Sequence, residues 1–554
     1  MSRRILIIGG YGVFGGKLAS ALTTDPAFDV IVAGRNLDKA AAFCAGTPCR
    51  PLQIDTHAED LSIRLAAETP FIIVDASGPF QQRGEAAYRV AEAALAAGAH
   101  YLDLSDDAAF TAGITALDDT ARAHSLAVLS GVSSVPALSS AAVTRLAEGL
   151  SEIDHIESVI LPGNRAPRGL SVVQAIVSQA GRPLRLWQAG HWTEVPGWGD
   201  LTALSLSLPG APSLRGRWAS HIGAPDLQLF PAHFRARSVS FRAGLDLKLM
   251  HGGLTLLSRP VRWGWLRSLS PFARPLKWMA DRLEAFGSST GGMRVSVTGL
   301  TPTGEPERRD WTLIVEDGDG PAIPAIPAEI LCRKLAAGEV PPGARPCLAE
   351  FTLEEAERAL SRLRVTTGLR EAPAPFLFTS ILGDDFNRLP PPIQQLHAVS
   401  HARRWTGRAH ITRGTSLLSR LAGACAGFPP AGDDVPVTVS MLRKGNTEIW
   451  QRTFGGHSFR SYLSAASTPG SGLMRERFGL LSFTIDLGAR ADGLSYPVKS
   501  ARLLGLVPLP AFLRPRSTTA ETVDGHGRAC FDVRIDLPVG GHVVTYSGWL
   551  QPSD

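Results

Sequence analysis

Residues 5–22, ILIIGGYGVFGGKLASAL, decide how the first part of the chain is read. Four apolar residues run into five glycines within eight positions, and a small-residue helical pattern follows. Gly10, Gly12 and Gly15 fit G-x-G-x-x-G, while Gly9, Gly12 and Gly15 fit G-x-x-G-x-x-G. In such a turn one glycine permits the tight bend after a strand. Another lets backbone approach a pyrophosphate, and a third lets the helix pack close to the sheet. The phosphates then meet free N–H groups, those of Val13 and Phe14 included, at the positive end of the helix. Alone the motif also describes a structural glycine loop, so its surroundings must decide.

Those surroundings alternate strand and helix up to about residue 135. RILIIGG, FDVIVAGR, CRPLQID, PFIIVDA, HYLDLS and LAVLSG read as buried strands, with helical stretches such as DKAAAFCAG and GEAAYRVAEAALAAGA between them. The alternation predicts an α/β fold with a parallel sheet covered on both faces: a doubly wound, Rossmann-type domain over 1–135. In that context the glycine turn is a nucleotide cradle.

The second strand ends in VIVAGRN. Where an NAD site usually carries a carboxylate for the ribose hydroxyls, this chain has Gly34, Arg35 and Asn36. Arg35 would pair with a 2′-phosphate and stack on adenine, so NADP is the expected cofactor. Asp55, after the third strand, either meets the adenine or is a solvated turn carboxylate.

Beyond 135 the texture changes twice. Residues 136–370 mix strands with helices and are expected to form an α+β substrate or dimerisation domain. EAPAPFLF reads as a linker, and 375–554 as short strands separated by glycine, asparagine and proline turns. This predicts a mostly antiparallel C-terminal β domain or partly closed barrel. TEIWQRTFGG would place Glu448 and Arg452 on one strand face, towards a cavity in a curved sheet.

Composition bounds the rest. The chain has 554 residues, a net charge of +5 and no run of five or six like charges, so nucleic acid is not an expected partner. Its six cysteines form no C-x-x-C pair, and reduced thiols in a cytoplasmic protein are expected. The paired arginines before the first apolar run do not make an export signal, because that run stops at Ile8. His397 and His401 lack an evident third ligand, and no metal is expected. Segment 240–286 holds eight Lys/Arg against three Asp/Glu, with Trp263, Trp265 and Trp278 interleaved. Three roles fit it: peripheral contact with an anionic membrane, a cap over a cleft, or a homodimer face.

The glycine-rich start, the block SGPF…GEAAYRVAEAALAAGAHYLDLSDD and the run LSGVSSVPALSSAA together resemble the saccharopine dehydrogenase-like oxidoreductases, a family that includes a trans-acting enoyl reductase. HAVSHARRWTGRAHITRG, GFPPAG and TEIWQRTFGGHSF resemble a domain often fused to them, DUF4166. The resemblance implies that Ser77, Gly78 and Pro79 run past the cofactor ribose and nicotinamide. Asp103 would orient a substrate group, Ser105 or Tyr101 would pass a proton, and Ser133 and Ser134 would face the substrate. The family's substrate-side pattern is altered here, and Arg165, Arg168, Arg182 and Arg185 show no convergence, so saccharopine-type amino-acid chemistry is not expected. The expected function is NADPH-dependent hydride transfer to an imine, enoyl or carbonyl group of a small-molecule, hydrophobic substrate. The alternative is a non-catalytic NADP-binding sensor or scaffold whose C-terminal domain binds a lipid or protein.

Overall fold

A computed structural model describes residues 2–82, 84–167 and 169–553, so Arg168 lies outside the described residues. The chain divides into two compact units: Met1–Val297 with Arg309–Glu371, and Thr298–Arg308 with Ala372–Asp554.

The first unit begins with six parallel strands, β1 (Arg3–Ile8), β2 (Phe28–Gly34), β3 (Arg50–Gln53), β4 (Ile72–Asp75), β5 (His100–Asp103) and β6 (Ala127–Ser130). Their order in the sheet is β6-β5-β4-β1-β2-β3, with the reversal between β1 and β4 that marks a doubly wound nucleotide-binding fold. In β1, Ile5 and Ile7 enter one core and Leu6 and Ile8 the other, which is why the strand reads as an unbroken apolar run. A seventh strand completes the sheet. Gly343–Pro346 pairs in parallel with β6, Gly343 opposite Ala127 and Pro346 opposite Ser130.

A second, mixed sheet of nine strands follows. At its centre Glu152–Leu161 runs parallel to Ser238–Gly244. The basic, Trp-rich segment forms the helices Lys248–Arg262 and Ala273–Arg282. The first buries His251, Leu254, Ser258 and Val261 against the unit. Its other face leaves Leu249, Leu256 and Leu257 exposed.

The second unit carries a sheet of thirteen antiparallel strands. Its inner face and the helices Leu377–Leu382 and Pro391–His397 share one apolar core that includes Phe378, Leu396, Trp405 and Phe454.

Candidate functional site

The glycine turn joins β1 to the helix α1 (Val13–Leu22) and is shaped by contacts that leave no room for side chains. Gly9 has φ +76°, and a Cβ there would lie 2.8 Å from the Ala76 carbonyl oxygen, just beyond β4. A Cβ on Gly15 would lie 2.4 Å from the Gly9 oxygen, so α1 packs directly on the turn. The Gly12 N–H donates to that same oxygen at 2.8 Å. Gly12 caps α1 without a side-chain hydrogen bond. The first N–H groups of the helix, at Val13, Phe14 and Gly15, therefore have no partner supplied by the helix or its cap. This is a pre-formed anion cradle at the reversal point of the sheet.

One residue of the turn was not singled out by sequence reasoning. The Tyr11 ring lies over Gly34, where a Cβ would be 2.4 Å from the ring, and its hydroxyl accepts from the Asn36 N–H at 3.2 Å. The glycine at the end of β2 thus makes room for a tyrosine that props the loop carrying Arg35. Only the pairing of an aromatic in the turn with a glycine before Arg35 could have signalled it.

Arg35 is exposed at the carboxyl end of β2, and its guanidinium makes no ion pair among the described residues. Its carbonyl accepts from Gln53 Nε2 at 3.1 Å, which fixes the backbone while the side chain stays available. Asp55 is also exposed beyond the neighbouring β3, with Oδ1 accepting from the His57 N–H at 3.0 Å. It closes its own turn.

At the other side of the reversal, β4 and β5 end in register with Asp75 opposite Asp103. Asp75 Oδ1 accepts from the Ser77 N–H at 2.9 Å and from Ser77 Oγ at 2.5 Å. Ser77, Gly78 and Pro79 are half-buried. A Cβ on Gly78 would meet Phe80 at ordinary distances, its ring at 3.6 Å and its backbone nitrogen at 3.9 Å, so packing does not demand glycine there. Asp103 is fully buried, and its Oδ1 collects three donors: Gly131 N–H at 2.9 Å, Ser105 N–H at 3.0 Å and Ser130 Oγ at 3.0 Å. Burial pushes its carboxyl up to about 7; these three donors oppose the shift and nearby Asp75 adds to it. Ser105 is buried too, its Oγ accepting from the Asp107 N–H at 3.1 Å. Asp103 and Ser105 therefore brace the loops after β5 and β6 from behind. Of Ser77, Asp103 and Ser105, Ser77 is the one that is not fully buried.

The remaining candidates are dispersed. Tyr101 sits in the apolar core with Leu6 and Ile73. Ser133 is buried and Ser134 half-buried at the turn after β6. Arg165 donates to the Ala285 carbonyl at 3.2 Å, Arg182 is exposed, and Arg185 lies over Trp192. Two pairs of arginines do converge: Arg242 and Arg294 on Glu157, at 3.2 and 3.1 Å, with Arg242 also on Asp200 at 2.8 Å, and Arg333 and Arg362 on Glu329. Their charge is already matched.

In the C-terminal unit Glu448 is buried and accepts from Trp450 Nε1 at 2.9 Å, and burial pushes it up to about 7. His397 pairs with Glu521 at 2.6 Å. Among the described residues no helix is long and apolar enough to cross a membrane.

Two family models match the chain. Residues 5–136 match the saccharopine dehydrogenase NADP binding domain, and residues 389–550 match a domain of unknown function, DUF4166. No curated protein matches it. Among solved structures it is similar to apo histidine-tagged saccharopine dehydrogenase (L-Glu forming) from Saccharomyces cerevisiae, at 12% identity and a TM-score of 0.49, over 67% of this chain and 100% of that one. A biliverdin reductase from Synechocystis, in complex with biliverdin and NADP+, is similar at 12% identity and a TM-score of 0.30, over 64% of this chain and 95% of that one. The glycine cradle and the two matches agree: this chain carries a saccharopine dehydrogenase NADP binding domain at its N-terminal end and a DUF4166 domain at its C-terminal end.

Proposed function

We propose that the protein is an NADPH-dependent oxidoreductase. The observation that carries this reading is the cradle at the β1–β4 reversal, with an exposed Arg35 just after β2 that has no ion pair among the described residues. The residues fit the cofactor: N–H groups of α1 for the pyrophosphate, Arg35 for the 2′-phosphate, and the Ser77–Pro79 loop for the nicotinamide end. When bound, the cofactor supplies the hydride. The chain's own groups hold and orient it. Ser77, whose N–H and hydroxyl both donate to Asp75, is held half-buried in the loop at this end of the sheet. Asp103 fixes the loop after β6 that walls the same end of the sheet.

An imine, enoyl or carbonyl acceptor suits this chemistry. The matched pairing of Arg242 and Arg294 with acids disfavours an amino-dicarboxylate, which would need free arginine forks. The test is a titration of the full chain with NADPH and NADH, followed by NADPH oxidation assays with long-chain enoyl, imine and carbonyl compounds. NADPH binding with no turnover on any class would favour the sensor or scaffold reading.

The helical segment 248–286 extends the proposal to a membrane surface. Trp263, Trp265 and Trp278 are 57%, 74% and 59% exposed, beside basic side chains such as Arg259, Arg262 and Arg282. An exposed segment that is both aromatic and cationic complements an anionic bilayer.

A further inference from the structure

The thirteen-stranded sheet of the second unit does not close on a filled core. It curves around a cavity of about 230 Å³, larger than the roughly 150 Å³ void that holds a benzene in an engineered apolar core. The walls are apolar and come from alternate positions of the strands. On Thr447–Phe454 the residues facing in include Trp450, Arg452 and Phe454. On Ala529–Leu537 they are Phe531, Val533, Ile535 and Leu537, while Asp532 and Arg534 are exposed. The inward residues of that second strand are only half-buried although they line the interior, so part of their surface faces empty space. Apolar side chains around a void forgo dispersion contacts that a well-shaped occupant restores.

The polar groups on the wall define that occupant. Arg452 donates to Ser461 Oγ at 2.8 Å, lies 3.8 Å from Glu476 and has its guanidinium 5.0 Å from the centre of the Trp450 ring. Glu521 is held by His397 at 2.6 Å, and the Tyr496 hydroxyl lies 3.3 Å from the same histidine nitrogen. Arg452 already faces Glu476, and Glu521 already has His397 as its hydrogen-bond partner, so a charged ligand would have to compete with contacts the wall makes to itself. What remains is the hydrogen-bonding capacity of the Ser517–Thr519 hydroxyl pair, 3.0 Å apart.

We propose that the DUF4166 unit is a binding site for a neutral, chain-like apolar molecule bearing a hydroxyl or carbonyl group. The site lies within residues 396–550 and does not depend on the nucleotide cradle or on the activity assigned to it.

The full chain is titrated calorimetrically with decan-1-ol, decanoate and decylammonium, each below its micellar concentration. Decan-1-ol is expected to bind once per chain, and at least about tenfold more tightly than either charged analogue. Val533→Trp, which fills the cavity from one wall, should weaken decan-1-ol binding at least about tenfold while circular dichroism and NADPH affinity stay unchanged. If that variant does not fold, Ile535→Phe replaces it with the same expectation. Absence of saturable decan-1-ol binding overturns the proposal. So does equal or tighter binding of a charged analogue, or unaltered binding in a folded, cavity-filled variant.

Discussion

Asp75 and Asp103 stand opposite each other at the carboxyl ends of adjacent parallel strands, both fully buried, each holding a different loop of the nucleotide-binding face. Asp75 gathers the backbone and hydroxyl of Ser77, and Asp103 gathers Ser105, Ser130 and Gly131. Burial, with a smaller addition from Asp75, holds the Asp103 carboxyl well above its ordinary range.

The pH dependence of folding should therefore change in Asp103→Asn. The folded carboxyl titrates near 7 because of burial, against about 3.9 in the unfolded chain. Between those values the folded state holds a proton that the unfolded state has lost, so stability falls as pH rises from about 4 to 7. A shift of about three units corresponds to roughly 4 kcal/mol at most. Asparagine keeps an oxygen acceptor for the three donors but does not titrate. Urea midpoints at pH 5 and pH 8 should differ less in the variant than in the native chain; equal differences would show that another group carries the slope.

Arg35→Asp should reverse cofactor preference. It removes the cation available to a 2′-phosphate and installs an acceptor for ribose hydroxyls. NADPH affinity is expected to fall by about two orders of magnitude, close to 3 kcal/mol, with NADH affinity unchanged or improved. The check is the ratio of the two dissociation constants from nicotinamide fluorescence. An unaltered ratio would remove Arg35 from the site.

Two glycines should behave oppositely. Gly15→Ala places a methyl 2.4 Å from the Gly9 oxygen and should lower stability by about 1–3 kcal/mol together with NADPH binding. Gly78→Ala meets only an ordinary contact with Phe80, so its melting temperature should hold while NADPH affinity drops. Thermal scans with and without NADPH separate the two; unchanged affinity in the second variant would place the cofactor elsewhere.

Ser77→Ala should bind NADPH within about threefold of the native protein yet turn over at least about tenfold more slowly once a substrate is found. Single-turnover rates at saturating NADPH make the comparison. A variant with full turnover would leave Ser77 as a brace for the loop and nothing more.

Vesicles of anionic phospholipid should pull down the full chain at low salt and release it as salt is raised, since each exposed Lys or Arg near such a surface contributes about 1 kcal/mol. Replacing Trp265 and Trp278 by serine should weaken binding at every salt concentration. Binding that ignores both changes, or sedimentation as a dimer that the double variant splits, would assign this face to a second copy of the chain.

The doubly wound fold was legible because six strands and their helices occur in unbroken succession, and because β1 is apolar at every position from Ile5 to Ile8. The same burial on both faces hid the orientation of Asp103: in a parallel strand, polarity at one position does not say whether it faces ligand or loop. The period-2 pattern of Thr447–Phe454 did indicate an inner face, with Arg452 on the cavity wall and Glu448 on the same side but buried against Trp450. The strand Gly343–Pro346 was not legible. Four residues, GARP, give no period, and their partner lies more than two hundred positions earlier.

That strand bears on how the protein is made. Gly343–Pro346 is held by β6, by Asp118 through the Ala344 N–H at 2.8 Å, and at Cys347, whose N–H donates to Ser130 at 2.8 Å. On a ribosome, β6 emerges long before it can be covered, and until about residue 346 has been translated it presents an open edge to any neighbouring strand. A fragment cut at residue 136, where the family match ends, would keep that open edge permanently. Aggregation of such a fragment, but not of one that runs through residue 371, is what this topology forecasts.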